Sequence, residues 1–286
     1  MKNRTLLTTV FSAFNYGSCL QAFAGKQIIQ KVGYECDLVK LKSLVKGRDV
    51  RFRKLMTILF RSLFLNKNNA LKTYGKSYEK TLVDGTERKF FAFTDEYLKP
   101  VEVSWRRLKS LAKEAVACFS GSDQIWNSST LYVDPLYYLR FAPKQKRIAL
   151  SPSFGRNFIA DYNKNKMKKW INDYPYLSVR EDSGVKLIKE LTGLEAQHLL
   201  DPTLIINSEE WRKNLHIEEK IKNYILAYFL DEPSSHAKNA LKALKEQLNC
   251  KVIALPYKFE DMDYCDEAVA AGPKEFVELV ANAKVV

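Results

Sequence analysis

Apolar runs and helical periodicities alternate along this chain, and the alternation predicts strands separated by helices. Leu6 to Phe11 reads as a buried strand, and from Ser18 a helical pattern follows with Leu20, Phe23, Ala24, Ile28 and Val32 on one face and Gly33 as its stop. Val101 to Lys113 fits a helix, Ala115 to Ser120 a short buried strand broken by Gly121-Ser122, and Arg147 to Ser151 a further strand closed by Pro152. After the polar stretch Asp161 to Lys166 the pattern sharpens. Tyr176 to Val179, Gln197 to Leu200, Tyr224 to Leu230 and Lys251 to Leu255 read as strands. Ser183 to Leu191, Ser235 to Leu248 and a segment opening at Pro273 read as helices. Strands joined by helical crossovers imply parallel, doubly wound sheets, so the predicted class is α/β.

The 286 residues exceed the roughly 250 that one hydrophobic core supports, so two Rossmann-like domains are expected. The polar stretch before Trp170 places the boundary near residues 158 to 175, giving domains over 1–165 and 166–286. Lys284-Val285-Val286 reads as the opening of another strand, so the second sheet is expected to be incomplete within this sequence.

Composition narrows the function classes. Hydrophobic residues make up 46% and charged residues 28%, which places the chain among globular proteins rather than disordered ones. Lysine and arginine number 46 against 33 acidic residues, a formal charge of +13 that attracts anions. The cations are scattered and match no nucleic-acid-binding motif, so nucleic acid is not an expected partner. No window carries the 18 or so consecutive apolar residues of a membrane span. The five cysteines, Cys19, Cys36, Cys118, Cys250 and Cys265, lack metal-knuckle or disulfide-framework spacing. They suit a reducing cytoplasm, and neither a metal nor a bound cofactor is expected.

Three loops carry candidate chemistry. Asn15-Tyr16-Gly17-Ser18 joins the first strand to the first helix, where free backbone N–H groups favour anions or hydroxyls; Gly17 permits close approach and Ser18 is the expected N-cap. Gly121-Ser122-Asp123-Gln124-Ile125-Trp126 follows a strand and so lies at the carboxyl edge of a sheet, with a carboxylate, an amide and an indole suited to a saccharide. The alternative is that Asp123 caps a helix and Trp126 is core. Ser178-Val179-Arg180-Glu181-Asp182-Ser183 again leaves a strand and opens a helix, so that Arg180 and Ser183 suit a phosphate or carboxylate, unless Arg180 is tied to Glu181 or Asp201. Asp201-Pro202-Thr203 reads first as an Asx turn, and His198, His216 and His236 stand in no triad-like arrangement. Arg51 to Phe64 forms a basic amphipathic helix with Phe52, Leu55, Met56, Leu59 and Leu63 on one face. Two readings stay open, packing on its own domain or lying on an anionic membrane.

In order and spacing, the Asn15 to Gln21 turn, the Gly121 to Asn127 loop, Ser151-Pro152-Ser153-Phe154-Gly155, Ser178-Val179-Arg180-Glu181 and Asp201-Pro202-Thr203 resemble the polysaccharide pyruvyl transferase family. Trp211, Tyr228-Phe229-Leu230 and Gly272-Pro273-Lys274-Glu275-Phe276 extend the resemblance over nearly the whole chain. It implies a GT-B-like fold with a cleft between two Rossmann-like domains, and transfer of pyruvyl from phosphoenolpyruvate to saccharide hydroxyls as a ketal in cell-surface polysaccharide synthesis. The acceptor is a saccharide or lipid-linked oligosaccharide, and the location the cytoplasm or the inner face of its membrane. Arg180 and Ser183 would hold the donor on the second domain. Asn15, Gly17, Ser18, Gly121, Ser122, Asp123, Gln124 and Trp126 would hold the acceptor on the first. The family continues past the helix opening at Pro273 into a strand and a Ser-Phe-His-Gly turn, whose histidine is the expected catalytic residue and would lie beyond Val286. The alternatives are a nucleotide-sugar glycosyltransferase of the same fold, or an inactive carbohydrate-binding remnant.

Overall fold

A computed structural model describes residues 3–11, 14–44, 49–65, 84–220, 222–230, 232–256 and 262–286. By its described residues the chain forms one unit from residues up to 65 and 97–206, and a second from 84–96 and 207–286.

In the first unit, β1 (Arg4–Thr8) leads into α1 (Tyr16–Lys31), β2 (Glu35–Leu41) and α2 (Phe52–Phe64). The second unit contributes α3 (Thr86–Phe93) before the chain returns as β3 (Val101–Val103), α4 (Trp105–Glu114), β4 (Ala117–Ser120) and β5 (Arg147–Ala149). The five strands pair in parallel in the order β3-β2-β1-β4-β5. Val101 to Lys113 is therefore not one helix. Pro100 cannot donate to a helix, and Ser104 accepts from the Arg107 N–H at 3.3 Å, so the helix starts only at Trp105 and the three residues before the cap pair with β2.

The sheet continues beyond β5. Ile148 bridges Tyr176 in parallel, the Ala149 N–H donates to the Tyr176 carbonyl at 3.0 Å, and β6 (Ser178–Val179) pairs with β7 (Gln197–His198) across α6 (Asp182–Thr192). The expected boundary at 165 falls inside α5 (Asp161–Ile171). That helix is polar on one side only. Met167 and Ile171 are wholly buried in the same core as Leu6, Trp126 and Tyr138, so the polar stretch is the solvent face of a packed helix, and the chain leaves the first unit only after Ile206.

Helix α2 also lies differently from its sequence pattern. Ile58 and Ser62 are its buried residues, whereas Phe52, Met56 and Leu63, which the packing reading turns inward, are 67%, 49% and 71% exposed. The basic side turns inward because it finds partners there. Arg51 pairs with Asp49 and buried Asp134, Lys54 reaches Asp49 at 2.6 Å, and Arg61 donates to the Leu131 carbonyl at 3.1 Å and to Asn163 at 2.9 Å.

In the second unit, α7 (Ser208–Leu215) precedes β8 (Tyr224–Ala227), α8 (Ser235–Leu248), β9 (Lys251–Ala254), β10 (Glu267–Ala268) and α9 (Pro273–Asn282). The parallel order is β10-β9-β8. The closing residues add to the free side of β8, where Val285 bridges Ile225 and its carbonyl accepts from the Leu226 N–H at 2.8 Å. Both units thus bear out the parallel, Rossmann-like α/β class. Among the described residues, no helix is long and apolar enough to cross a membrane.

Candidate functional site

The order β3-β2-β1-β4-β5 reverses direction between β1 and β4, because β2 and β3 are laid down on one side of β1 and β4 on the other. Loops leaving the carboxyl ends of two such strands part company and leave a crevice. Those loops are Asn15-Gly17-Ser18 and Gly121-Ser122-Asp123-Gln124, and they meet. The Ser18 hydroxyl, in the first turn of α1, donates to Asp123 Oδ2 at 2.5 Å. Ser18 is not the N-cap. Asn15 holds that role, its Oδ1 accepting the Ser18 N–H at 2.9 Å, which frees the Ser18 hydroxyl for Asp123. Buried Gln21 secures the turn from below, its amide donating to the Val10 carbonyl at 2.6 Å and to the Ser18 carbonyl at 2.9 Å beside the Thr9 hydroxyl.

Asp123 sits at φ 72° and ψ 173°, a region costly to any residue but glycine, by about 1–3 kcal/mol. Gly121 sets up that conformation. A Cβ there would meet Thr9 Cβ at 2.9 Å and Leu7 Cδ1 at 3.0 Å, so the chain emerging from β4 is pressed flat against β1. The other Asp123 oxygen accepts the Gln124 N–H at 2.7 Å, leaving the carboxylate half-buried at the edge of the sheet. Ser122 is buried; its carbonyl accepts from Thr9 Oγ1 at 2.7 Å and its hydroxyl donates to Asp201 Oδ2 at 2.8 Å.

Asp201 links this cluster to the arginine. Its Oδ2 also accepts from Arg180 Nη1 at 2.9 Å, while Oδ1 accepts from the Thr203 N–H at 3.0 Å and hydroxyl at 2.8 Å. The expected Asx turn is present, and so is the Arg180 tie. Burial would raise the Asp201 carboxyl, but the Thr203 N–H, Ser122, Arg180 and the Thr203 hydroxyl outweigh it and hold it below the usual carboxylate range. The Arg180 side chain stays 31% exposed, with donors besides the one directed at Asp201.

Arg180 opens onto a shallow cavity of about 390 Å3, lined also by Gln124, Ser153, Gly155, Arg156, Glu181 and Ser183. Ser183, half-buried in the first turn of α6, and exposed Arg156 add a helix terminus and a second guanidinium. Glu181 faces the opposite way electrostatically, but its Oε1 is occupied by the Phe154 N–H at 2.7 Å and the Ser153 hydroxyl at 3.1 Å. Gly155 takes φ +61°, where a Cβ would fall 2.6 Å from Gln124 Oε1. His198 contacts the Arg180 carbonyl through Nε2 at 3.0 Å and Asp182 through Nδ1 at 2.8 Å.

The expected donor and acceptor residues therefore lie in one unit, joined by the run Ser122–Asp201–Arg180, rather than on separate domains. The sequence reading misses this because β6 and β7 extend the first sheet. Trp126 does not belong to the site. It is wholly buried, stacked on Tyr138 at 5.1 Å and 8°, with its indole N–H donated to the Tyr137 carbonyl at 3.1 Å. A sugar cannot reach it. Arg156 and His198 carry no sequence signal of their own; only the fold brings them to Arg180.

A family model described as polysaccharide pyruvyl transferase matches residues 15–286, from the N-cap Asn15 through every later loop of the site. No curated protein matches the chain significantly.

Proposed function

Because the chain belongs to the polysaccharide pyruvyl transferase family, a family of transferases, we propose that it moves the pyruvyl group of phosphoenolpyruvate onto two hydroxyls of a saccharide destined for a cell-surface polymer. The observation that carries this reading is the placement of an oriented arginine and a carboxylate–serine pair on one sheet edge, linked through Asp201. Phosphoenolpyruvate bears a phosphate and a carboxylate. Arg180, Arg156 and the first turn of α6 supply cations and N–H dipoles for both. Asp123, with the Ser18 hydroxyl and the Gln124 N–H fixed on its oxygens, receives an acceptor hydroxyl as hydrogen-bond donor.

The reaction balances as follows. A proton adds to the methylene carbon of the donor, making the methyl of the product; one sugar hydroxyl adds to the central carbon and loses its proton. A second hydroxyl then displaces phosphate at the same carbon and its proton goes to the departing phosphate, leaving a cyclic ketal and inorganic phosphate. Arginine is suited to the ground state and to the charge that collects on the departing phosphate.

The test is ligand-linked stability. Phosphoenolpyruvate at about one hundred times its dissociation constant should stabilise the protein by about 2.7 kcal/mol, and Arg180→Ala should remove the effect. Stabilisation by a nucleoside diphosphate in its place, or a shift that survives Arg180→Ala, overturns the reading.

A further inference from the structure

The inward turn of the α2 cations has a counterpart outside. Phe52, Met56, Phe60 and Leu63 recur at four- and three-residue intervals and form one outward stripe, widened by Phe64, whose ring packs on Phe60 at 4.4 Å. Phe60, Leu63 and Phe64 are 62%, 71% and 75% exposed. Five large apolar side chains in one ridge are more than the scattered exposure ordinary on a protein surface. Their tips cannot serve the core, because Ile58 and Ser62 on the opposite side already do.

Cations border the ridge. Exposed Arg53, in the first turn of α2, stands on the same outward side, between Phe60 and Phe64 in helical angle at about 100° per residue. Helix α5 runs alongside, fixed to α2 by Arg61, which donates to Asn163 at 2.9 Å and lies 5.4 Å from the Tyr162 ring centre. It carries Lys164, Lys166, Lys168 and Lys169 against one acidic residue, Asp161. Of these, Lys166 is turned towards α2: burial and the neighbouring Arg61 and Arg53 charges push its ammonium below its usual range, as its place on the α2 side of α5, one helical turn from both Tyr162 and Trp170, requires.

We propose that this face is a docking surface for an anionic lipid bilayer, with the α2 ridge entering the headgroup boundary and Arg53 and Lys166 on the lipid phosphates. Charge decides between occupants. In a symmetric pair of chains the same cationic flank would meet its own copy, whereas an anionic membrane complements it and accepts apolar side chains at the same depth. The thirteen residues of α2 span about 20 Å, which suits a helix lying in the interface rather than crossing it. The three cations that pattern alone would assign to the membrane, Arg51, Lys54 and Arg61, are excluded by their internal partners.

The experiment is co-sedimentation of the whole purified protein with vesicles of phosphatidylglycerol and, separately, of phosphatidylcholine. Binding is expected to the first and to be weaker on the second. Each cation near the surface strengthens partition about fivefold, so Arg53→Glu and Lys166→Glu together should cost about twenty-five-fold or more. Phe60→Ser with Phe64→Ser should cost at least about tenfold, with an unchanged melting temperature because both side chains are outside the core. Absence of binding to phosphatidylglycerol, or binding unaffected by the two serines, overturns the proposal. So does a concentration-dependent dimer that dissociates on Phe60→Ser with Phe64→Ser, which would assign the ridge to a second copy of the chain.

Discussion

Replacing Asp123 by glycine and, separately, by alanine isolates the backbone strain at the site from the chemistry of its carboxylate. Both substitutions remove the hydrogen bonds from Ser18 and from the Gln124 N–H, at about 1 kcal/mol each. Alanine keeps the β-carbon in the φ 72°, ψ 173° conformation, so its variant retains the strain and should be about 2 kcal/mol less stable than the parent. Glycine relieves about 2 kcal/mol of strain and gives back about 1 kcal/mol through the larger entropy of its unfolded chain. The glycine variant should therefore be more stable than the alanine variant by about 1 kcal/mol, or about 2 to 4 °C in melting temperature for a unit of this size. At an ordinary position with negative φ the order is the reverse. Thermal unfolding of the two variants under identical conditions measures the difference, and phosphate release from phosphoenolpyruvate in the presence of acceptor measures function. Turnover should fall by about tenfold to a hundredfold in both, the worth of one charge-assisted hydrogen bond to a hydroxyl. An alanine variant as stable as the glycine variant would refute the strain, and parental turnover in either would refute the role of the carboxylate.

Trp126→Ala should cost about 3–5 kcal/mol by opening a cavity beneath Tyr138 and Phe154, while Trp126→Phe should leave the acceptor KM unchanged; a raised KM at unchanged stability would return the indole to the site. Asp201→Asn should weaken phosphoenolpyruvate binding by about tenfold, less than Arg180→Ala, because it loosens the guanidinium without removing it; binding is read from the ligand-induced melting shift. Asp173 predicts a limb in acid stability. Burial would raise its carboxyl, but hydrogen bonds from Lys144 and Arg140 and their charges lower it to about 2. Since that lies below the unfolded value of about 3.9, the stabilisation is complete above pH 4 and is lost as pH falls towards 2, amounting to about 1–2 kcal/mol after screening. Asp173→Asn should flatten that limb in unfolding midpoints measured against pH.

The elements were legible where pattern and local chemistry agree. Asn15 and Gly17 mark a real strand-to-helix turn, and the helix Ser235–Leu248 ends where its apolar period ends, with Asn249 left-handed at φ 47°. What the sequence does not carry is the choice between two partners of equal local merit. Asn15 and Ser18 are both good caps, and only the approach of Asp123 decides that Ser18 spends its hydroxyl elsewhere. The α2 pattern is amphipathic whichever side faces in, and Asp134 and Asn163, distant in sequence, join Asp49 in drawing the basic side inward. Trp126 looked like a platform because tryptophan beside a carboxylate suits a sugar, but at the next step of a 3-10 turn its side chain points back into the sheet and meets Tyr138. Domain membership was the least legible, since the polar face of α5 has the composition of a linker and reveals itself as a helix face only through buried Met167 and Ile171.

The strain at Asp123 and the tie at Asp201 are consequences of one topological fact. Where β1 and β4 run side by side, their carboxyl ends can approach within a glycine's width, and Gly121 on Thr9 uses that closeness. A carboxylate placed there caps the 3-10 turn Gln124–Trp126, the alternative reading of this loop, and stays at the sheet edge with Ser18 on one oxygen and the Gln124 N–H on the other. Ser122, the residue before it, faces the other way and reaches Asp201, which arrives from β7 and already holds Arg180 from β6. A displacement of Arg180 by a bound anion would therefore reach, through two hydrogen bonds, the residue adjoining Asp123. Coupling of this kind is reciprocal: if the run Arg180–Asp201–Ser122 carries it, an acceptor saccharide must tighten phosphoenolpyruvate by the same factor by which the donor tightens the acceptor, and Ser122→Ala must reduce both factors together.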